Sequence, residues 1–432
     1  MCDSFESGAQ LHVLLLATQP WPTGARLGLA LEAVGFRVSV WSPYGHPLLK
    51  TDAADQHYPY GAIGKDSLER AIIEANPDLI IPCDDPATTR LQQLARRALG
   101  DARLHRVLSL IERSLGPAAD LSKLTARAYV LEVAAEGGVA VPANARLSSS
   151  ADLDAWLHQY GFPAYLKADG TFGGIGVRLV HTYQQAEAAL RDLNAPPRAM
   201  RALKRLAISH DPTLMGPLIR RQRSAVSVQR SISGIDVNSA VFCWQGKVLA
   251  NISMQVIATC YEHGPSTVVR RIQNAAMDHA ADVLASRLKL SGFYGLDFIL
   301  DGQSEDGQSR TPWLIEMNSR ATQIAHLALG PGHDLAAAAF AAIGDLPVRP
   351  RPLLTTEETI ALFPQEWERD PSSPLIRKAY HDVPWDSPAL VRTYVNQPPG
   401  LHVLTRRFWR ERRQRKQSFE ASSSSEVAPR LP

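Results

Sequence analysis

Cysteine is scarce in this 432-residue chain: Cys2, Cys83, Cys243 and Cys260 lie far apart, and no Cys-x-x-Cys pair occurs. That spacing speaks against a zinc ribbon or a disulfide framework and fits a reducing compartment. Long apolar runs are absent too; none approaches the roughly 20 residues that a membrane-spanning helix needs. The opening Met1-Cys-Asp-Ser-Phe-Glu-Ser has no basic stretch followed by an apolar one, so a cytoplasmic location is expected. Signature loops are missing as well. Without Gly-x-x-x-x-Gly-Lys-Ser/Thr there is no P-loop chemistry, and the loop after the first apolar run lacks the Gly-x-Gly-x-x-Gly of a dinucleotide fold. Neither Gly-x-Ser-x-Gly nor His-Glu-x-x-His occurs, so nothing points to a serine hydrolase or a zinc protease.

A strong charge of one sign is lacking from the body of the chain. The formal net charge is +3, but the stretch from Arg406 to Lys416 carries seven cationic side chains against Glu411, which leaves the remainder slightly acidic. The body is therefore not a basic nucleic-acid-binding surface. The tail, with Phe408 and Trp409 interleaved, suits either a solvated helix or a contact with anionic lipid or RNA. With 45% hydrophobic residues the chain is long enough for two to four units with substantial cores.

What is present begins with alternation. Leu11 to Ala17, Phe36 to Trp41 and Asp78 to Pro82 are apolar runs of strand length, separated by helical patterns at Gly24 to Val34 and Asp66 to Ala75. Such alternation predicts a parallel sheet of βα units. In open α/β sheets ligands gather beyond the carboxyl ends of strands, here the loops Thr18-Gln-Pro-Trp-Pro-Thr23 and Cys83-Asp-Asp-Pro86. These loops are either acceptor-substrate contacts or ordinary βα turns. A helix over Ser122 to Glu136 leads into a second mixed region. There Ala225 to Ser231, Val237 to Trp244 and Val248 to Gln255 read as a meander, followed by a helix over Ala275 to Leu288. Ten of the thirty prolines fall between Pro347 and Pro399, which marks a boundary near Pro347. The expected division is 1–118, 119–230, 231–346, a Pro-rich appendage at 347–417 and a disordered tail at 418–432. The fold class is α/β (α+β).

Two stretches carry chemistry. The first is Gly170-Thr-Phe-Gly-Gly-Ile-Gly176, preceded by the strand Phe162 to Asp169 and followed by Val177-Arg-Leu-Val-His, which alternates like a strand. The loop therefore caps a hairpin. A glycine-rich tip lets backbone N–H groups approach phosphate oxygens with no Cβ in the way; the alternative is a flexible hairpin with no ligand. Lys167 stands on the strand just before the loop, under any phosphate the loop covers. Lys123, at the start of the expected helix, offers a second cation or a plain surface lysine.

The second stretch is Trp313-Leu-Ile-Glu316-Met-Asn318-Ser-Arg320, which follows Gly295-Leu-Asp297-Phe-Ile-Leu across a polar loop. Two antiparallel strands are predicted. If Leu300 faces Trp313 at the loop mouth, Asp297 faces Glu316, with Asn318 two residues on and on the same face. Two opposed carboxylates repel unless a cation lies between them, and a hard cation such as Mg²⁺ suits oxygen ligands. Arg320 offers a bidentate grip on phosphate or carboxylate. The alternative is an edge hairpin whose acids are merely solvated.

Together these stretches resemble the ordered motif series of the ATP-grasp superfamily. The resemblance is carried by Lys123, Tyr165-Leu-Lys167, Gly170 to Val177, Gln229-Arg-Ser-Ile-Ser-Gly-Ile-Asp236, Gly292-Phe-Tyr-Gly-Leu-Asp297-Phe and Glu316-Met-Asn-Ser-Arg320, and it covers roughly residues 10 to 345. It implies a βα pre-ATP-grasp domain followed by a two-subdomain ATP-grasp fold. It also implies that Lys123 and Lys167 contact ATP phosphates, and that Thr171, Gly173, Gly174, Gly176 and Val177 cover them. Gln229, Arg230, Ser231 and Ile232 would line the adenine, with Asp236 near the ribose. Asp297, Glu316 and Asn318 would bind one or two Mg²⁺ or Mn²⁺ ions, and Arg320 with Lys167 would serve the transferring phosphoryl group. Three departures stand out: Gln229 replaces a frequent acid, Ser319 replaces the proline of Asn-Pro-Arg, and Asp297 is shorter than the usual Glu.

The activity this implies is an ATP- and Mg²⁺-dependent ligase joining a carboxylic acid to an amine through an acyl phosphate. A kinase, a carboxylase (although no Met-Lys-Met biotin motif occurs) and a non-catalytic ATP-binding protein are the rivals. The expected partners are small carboxylate and amine substrates and a second copy in a homodimer. Arg270 and Arg271 are either anionic-acceptor contacts or a solvated face. His326 is expected to pack or orient rather than act as a base.

Overall fold

The computed structural model describes residues 10–60, 67–171, 176–196, 199, 200, 203, 218, 219, 221, 223–261, 264–301, 310–344 and 348–396. Gly173, Gly174, the 302–309 loop and everything after residue 396, including the Arg-rich tail, lie outside these residues.

The expected parallel sheet is present. Strands β1 (His12–Leu16), β2 (Arg37–Ser42), β3 (Ala54–Pro59) and β4 (Leu79–Pro82) run parallel in the order β3-β2-β1-β4. Every residue of β1 is buried, as expected of a strand covered on both faces. Helix α1 (Pro22–Val34) starts earlier than its apolar pattern because Pro22, with its fixed φ, sits in the first turn. It stops at Gly35, whose φ of 119° favours glycine. The sequence pattern gave no sign of β3, since Ala-Asp-Gln-His-Tyr-Pro is an edge strand with a largely wet face. Helices α2 (Ser67–Ala75), α3 (Asp85–Ala98) and α4 (His105–Leu115) complete this unit.

Next comes α5 (Arg127–Glu136), which is shorter than predicted. Residues 120 to 126 wind instead through turns, with Lys123 N–H donating to the Asp120 carbonyl and Ala126 N–H to the Lys123 carbonyl. A second sheet contains β5 (Asn144–Leu147), β6 (Ala164–Ala168), β7 (Val177–Val180) and β8 (Val226–Arg230), all antiparallel in the order β5-β8-β6-β7. Helices α6 (Ser150–Tyr160) and α7 (Tyr183–Asn194) cover it around a core of its own, centred on Leu153, Trp156, Leu166 and Val228.

The third sheet has seven strands in the order β13-β12-β9-β10-β11-β14-β15. These are β9 (Ile235–Trp244), β10 (Lys247–Thr259), β11 (Ser266–Arg271), β12 (Gly292–Leu300), β13 (Pro312–Asn318), β14 (Thr359–Leu362) and β15 (Tyr380–Asp382). The expected meander is therefore split: β8 belongs to the smaller sheet, and β9 opens the larger one. At the crossover, a Cβ on Gly234 would lie 2.5 Å from the Leu300 carbonyl oxygen, so only glycine passes there without displacing backbone.

Residues 348–396 are more than a proline-rich appendage, because β14 pairs with β11 and β15 extends the same sheet. Asp382 at the end of β15 is buried, accepts from Arg26 of α1, and lies 2.7 Å from His326 Nε2. His326 is thus a packed, oriented residue, as expected.

Candidate active site

The hairpin of β12 and β13 pairs Asp297 with Glu316, as the sequence suggests, but by a different route. Leu300 pairs with Pro312 and Phe298 with Leu314, one step off the assumed register. A bulge at Ile315 restores the alignment, so the offset and the extra residue cancel. The Ile315 carbonyl accepts from Lys167 Nζ at 3.5 Å and from Gln229 Nε2 at 3.4 Å. The bulge thereby ties the acidic strand to β6 and β8 of the smaller sheet.

Around this point the charged groups converge. Asn318 Nδ2 donates to Asp297 Oδ2 at 2.8 Å, and Arg320 Nη2 donates to Asn318 Oδ1 at 3.3 Å. Burial, and then the neighbouring Glu316 carboxylate, push the Asp297 carboxyl up to about 6. Burial also opposes ionisation of Glu316, yet Arg127 and Lys167 outweigh it and hold that carboxyl below its ordinary value. Lys167 is only 6% exposed; burial, and to a lesser extent Arg127, lower its ammonium to about 8 against the opposing pull of Glu316 and Asp297.

Arg127 is the residue that sequence reasoning missed. Its Nη2 donates to Glu316 Oε1 at 2.9 Å and to the Thr171 carbonyl at 3.0 Å, and its Nη1 donates to the Ala168 carbonyl at 2.6 Å. One guanidinium thus joins α5, the start of the glycine loop and the acidic strand. A signal existed: a cation in the first turn opposes the helix dipole and needs a partner elsewhere. Starting the helix at Ser122 hid it and promoted Lys123 instead. Lys123 is half-exposed and bonded to Asp120 at 2.7 Å, and no contact among the described residues joins it to the cluster.

The other expected residues divide similarly. Thr171 is held by Arg127, and Val177 pairs with Lys167 across the hairpin. Gly176 lies so close to Thr171 that a Cβ would fall 2.0 Å from Thr171 Oγ1. Gln229 is buried and faces the bulge, whereas Arg230 is exposed. Ser231 N–H donates to the Pro163 carbonyl at 3.2 Å; Ile232 is half-buried beside it, and Asp236 is exposed on β9 opposite Ile299. Arg270 and Arg271 lie on β11 against β14, and no contact among the described residues links them to the cluster.

The two N-terminal loops do reach the site. Asp84 accepts from the N–H groups of Thr18, Gln19 and Ala87 and from the Thr18 hydroxyl, which locks both loops together. Its neighbour Asp85 accepts from Arg320 Nε at 2.9 Å, and the Arg320 guanidinium lies 5.7 Å from the centre of the Trp21 ring. Ser319, where the motif departs from proline, is buried, and its carbonyl accepts from Thr88 Oγ1 at 3.2 Å.

These groups suit a hard divalent cation and a polyphosphate. An opposed carboxylate raises its neighbour's proton affinity, as Glu316, after burial, raises that of Asp297, unless a cation compensates the pair. A buried ammonium whose strongest contact is a carbonyl at 3.5 Å has donors left for an anion. Beside Thr171 there is no room for a Cβ on Gly176.

No family sequence model and no curated protein matches the chain. Solved structures do. An ADP complex of an N5-carboxyaminoimidazole ribonucleotide synthetase superposes with a TM-score of 0.52 at 15% identity, covering 80% of this chain and 79% of that one. The biotin carboxylase domain of the Hydrogenobacter thermophilus 2-oxoglutarate carboxylase, with MgADP and bicarbonate, gives 0.53 at 15% identity, covering 80% and 71%. An Aspergillus clavatus N5-carboxyaminoimidazole synthase with ADP and 5-aminoimidazole ribonucleotide gives 0.53 at 16%, covering 78% and 77%. The chain has the ATP-grasp fold.

Proposed function

We propose that this protein is an ATP- and Mg²⁺-dependent ligase that joins a carboxylic acid to an amine. The observation that carries the reading is the meeting of Lys167, Arg127 and Arg320 with Asp297, Glu316 and Asn318, where the loops after β1 and β4 end. Such a site performs phosphoryl transfer by positioning and charge neutralisation, not by covalent catalysis. Asp297, Glu316 and Asn318 would hold the divalent ion, which supplies charge neutralisation on the phosphate oxygens. Lys167 and Arg127 would take the remaining phosphate charge from the side of the smaller sheet. Arg320, aimed by Asp85, would steady the carboxylate as it becomes an acyl phosphate. The loop carrying Trp21 and Asp85 would border the acceptor.

The fold's neighbours include enzymes crystallised with bicarbonate or an aminoimidazole ribonucleotide, so bicarbonate belongs among the acids to be tried. The test is phosphate release from ATP with arrayed acids, including bicarbonate, and arrayed amines. A ligase releases free phosphate only when acid and amine are both present; a kinase leaves the phosphate on its product, which phosphorus NMR identifies. Lys167→Ala and Glu316→Ala should each abolish turnover in a folded protein. Undiminished turnover in either variant overturns the site assignment.

A further inference from the structure

The polar row across the large sheet does not end at Asp297. On β13 the residue opposite Asp297 is Glu316, and on β9 it is Asn238. Directly opposed residues share a face and have Cβ atoms about 4.5–5.5 Å apart. Glu316, Asp297 and Asn238 therefore stand side by side on three adjacent strands. Beyond Asn238, on β10, the row becomes apolar at Met254, which is fully buried.

Asn238 is set apart by what its side chain lacks. Its Oδ1 is buried and has no hydrogen-bond partner among the described residues. The amide of Asn318 is by contrast engaged at both ends, donating to Asp297 and accepting from Arg320. A buried amide oxygen with no partner destabilises the fold unless a ligand supplies one. Neither neighbour on the row relieves it: no hydrogen bond from Asp297 reaches it among the described residues, and Met254 has no polar hydrogen. Among the described residues, no three His, Cys, Asp or Glu side chains gather as a metal cage. Two carboxylates leave a hard cation room for further oxygen ligands, and amide oxygens are ordinary ones.

We propose that Asn238 supplies its amide oxygen to the divalent cation held by Asp297, extending the metal-binding row to a third strand. The inference rests on the proposed metal role of Asp297 and Glu316, and its test separates the two. Mn²⁺ binding to the full chain with ADP present is measured by the EPR signal of free Mn²⁺, for wild type, Asn238→Ala, Asn238→Asp and Glu316→Gln. Thermal unfolding without ligand is recorded for each.

The expected result for Asn238→Ala is Mn²⁺ binding weakened at least about tenfold, with ligand-free unfolding no lower than wild type because an unpaired buried oxygen is gone. Asn238→Asp keeps an oxygen in place and should retain binding. Wild-type Mn²⁺ affinity in Asn238→Ala, with binding lost in Glu316→Gln, overturns this inference and leaves the metal site standing. Wild-type affinity in Glu316→Gln overturns both. A destabilised Asn238→Ala whose binding Asn238→Asp does not rescue assigns Asn238 a structural role and also overturns the inference.

Discussion

Replacing Lys167 by methionine should stabilise the ligand-free protein while abolishing the proposed ATP binding. The ammonium is 6% exposed, and its burial, set against the attraction of Glu316 and Asp297, lowers its proton affinity from the usual 10.5 to about 8. At about 1.4 kcal/mol per pH unit, keeping the group charged at pH 7 in the folded state costs about 3 kcal/mol relative to the unfolded chain. Methionine has similar reach and no charge, so Lys167→Met should gain up to about that amount in urea unfolding at pH 7. The sign with pH follows. Between 8 and 10.5 the unfolded chain binds more protons than the folded one, so wild-type stability contains a component that rises with pH across that window. The variant should lack it. Isothermal titration with MgATP should detect no binding to Lys167→Met. A variant less stable than wild type at pH 7, or one with the wild-type pH profile, refutes the reasoning.

Other outcomes follow from the same contacts. Arg127→Met removes the guanidinium that bridges Glu316 and the glycine loop, and should weaken MgATP binding tenfold or more by titration calorimetry; unchanged affinity would remove Arg127 from the site. Asp382→Asn leaves Arg26 as an uncompensated buried charge and should cost about 3–5 kcal/mol in denaturant unfolding. Arg26 and His326 outweigh burial and hold the Asp382 carboxyl below its usual 3.8, so its contribution is present above that pH. The gap between wild type and Asp382→Asn should close as the pH falls below it. Gly295→Ala places a Cβ 2.2 Å from Thr322 Cγ2 and should lower stability by about 1–3 kcal/mol; a neutral effect would show that the strand gives way there.

Much of the candidate site was legible because the residues that compose it lie in short local patterns. Lys167 before a glycine loop that continues into a strand, and Asp297, Glu316, Asn318 and Arg320 on a hairpin, need only strand periodicity to be placed on common faces. Even the pairing of Asp297 with Glu316 came through, although a bulge at Ile315 was needed to produce it. Arg127 and Lys123 show where local reading stops. They are four residues apart on what looks like one helix, and only the real start of α5 decides which of them faces the acids. Asp85 was visible as a loop residue, but its bond to Arg320 spans 235 positions of sequence.

The sequence by itself determined the class of the protein: alternating βα units, a glycine-tipped hairpin and an acidic hairpin in that order, each specified by the period of its apolar residues and by its turn chemistry. Tertiary structure decided how these parts meet. It moved β8 out of the meander into the smaller sheet and brought residues 348–396 in as the last two strands of the larger one. It also set Asn238 beside Asp297. Such pairings depend on which strand edges and charged groups find partners across the fold, and no local period encodes that. The glycine loop and the acidic hairpin could be read one segment at a time, while the bond from Arg127 to Glu316 that joins them exists only in the folded chain.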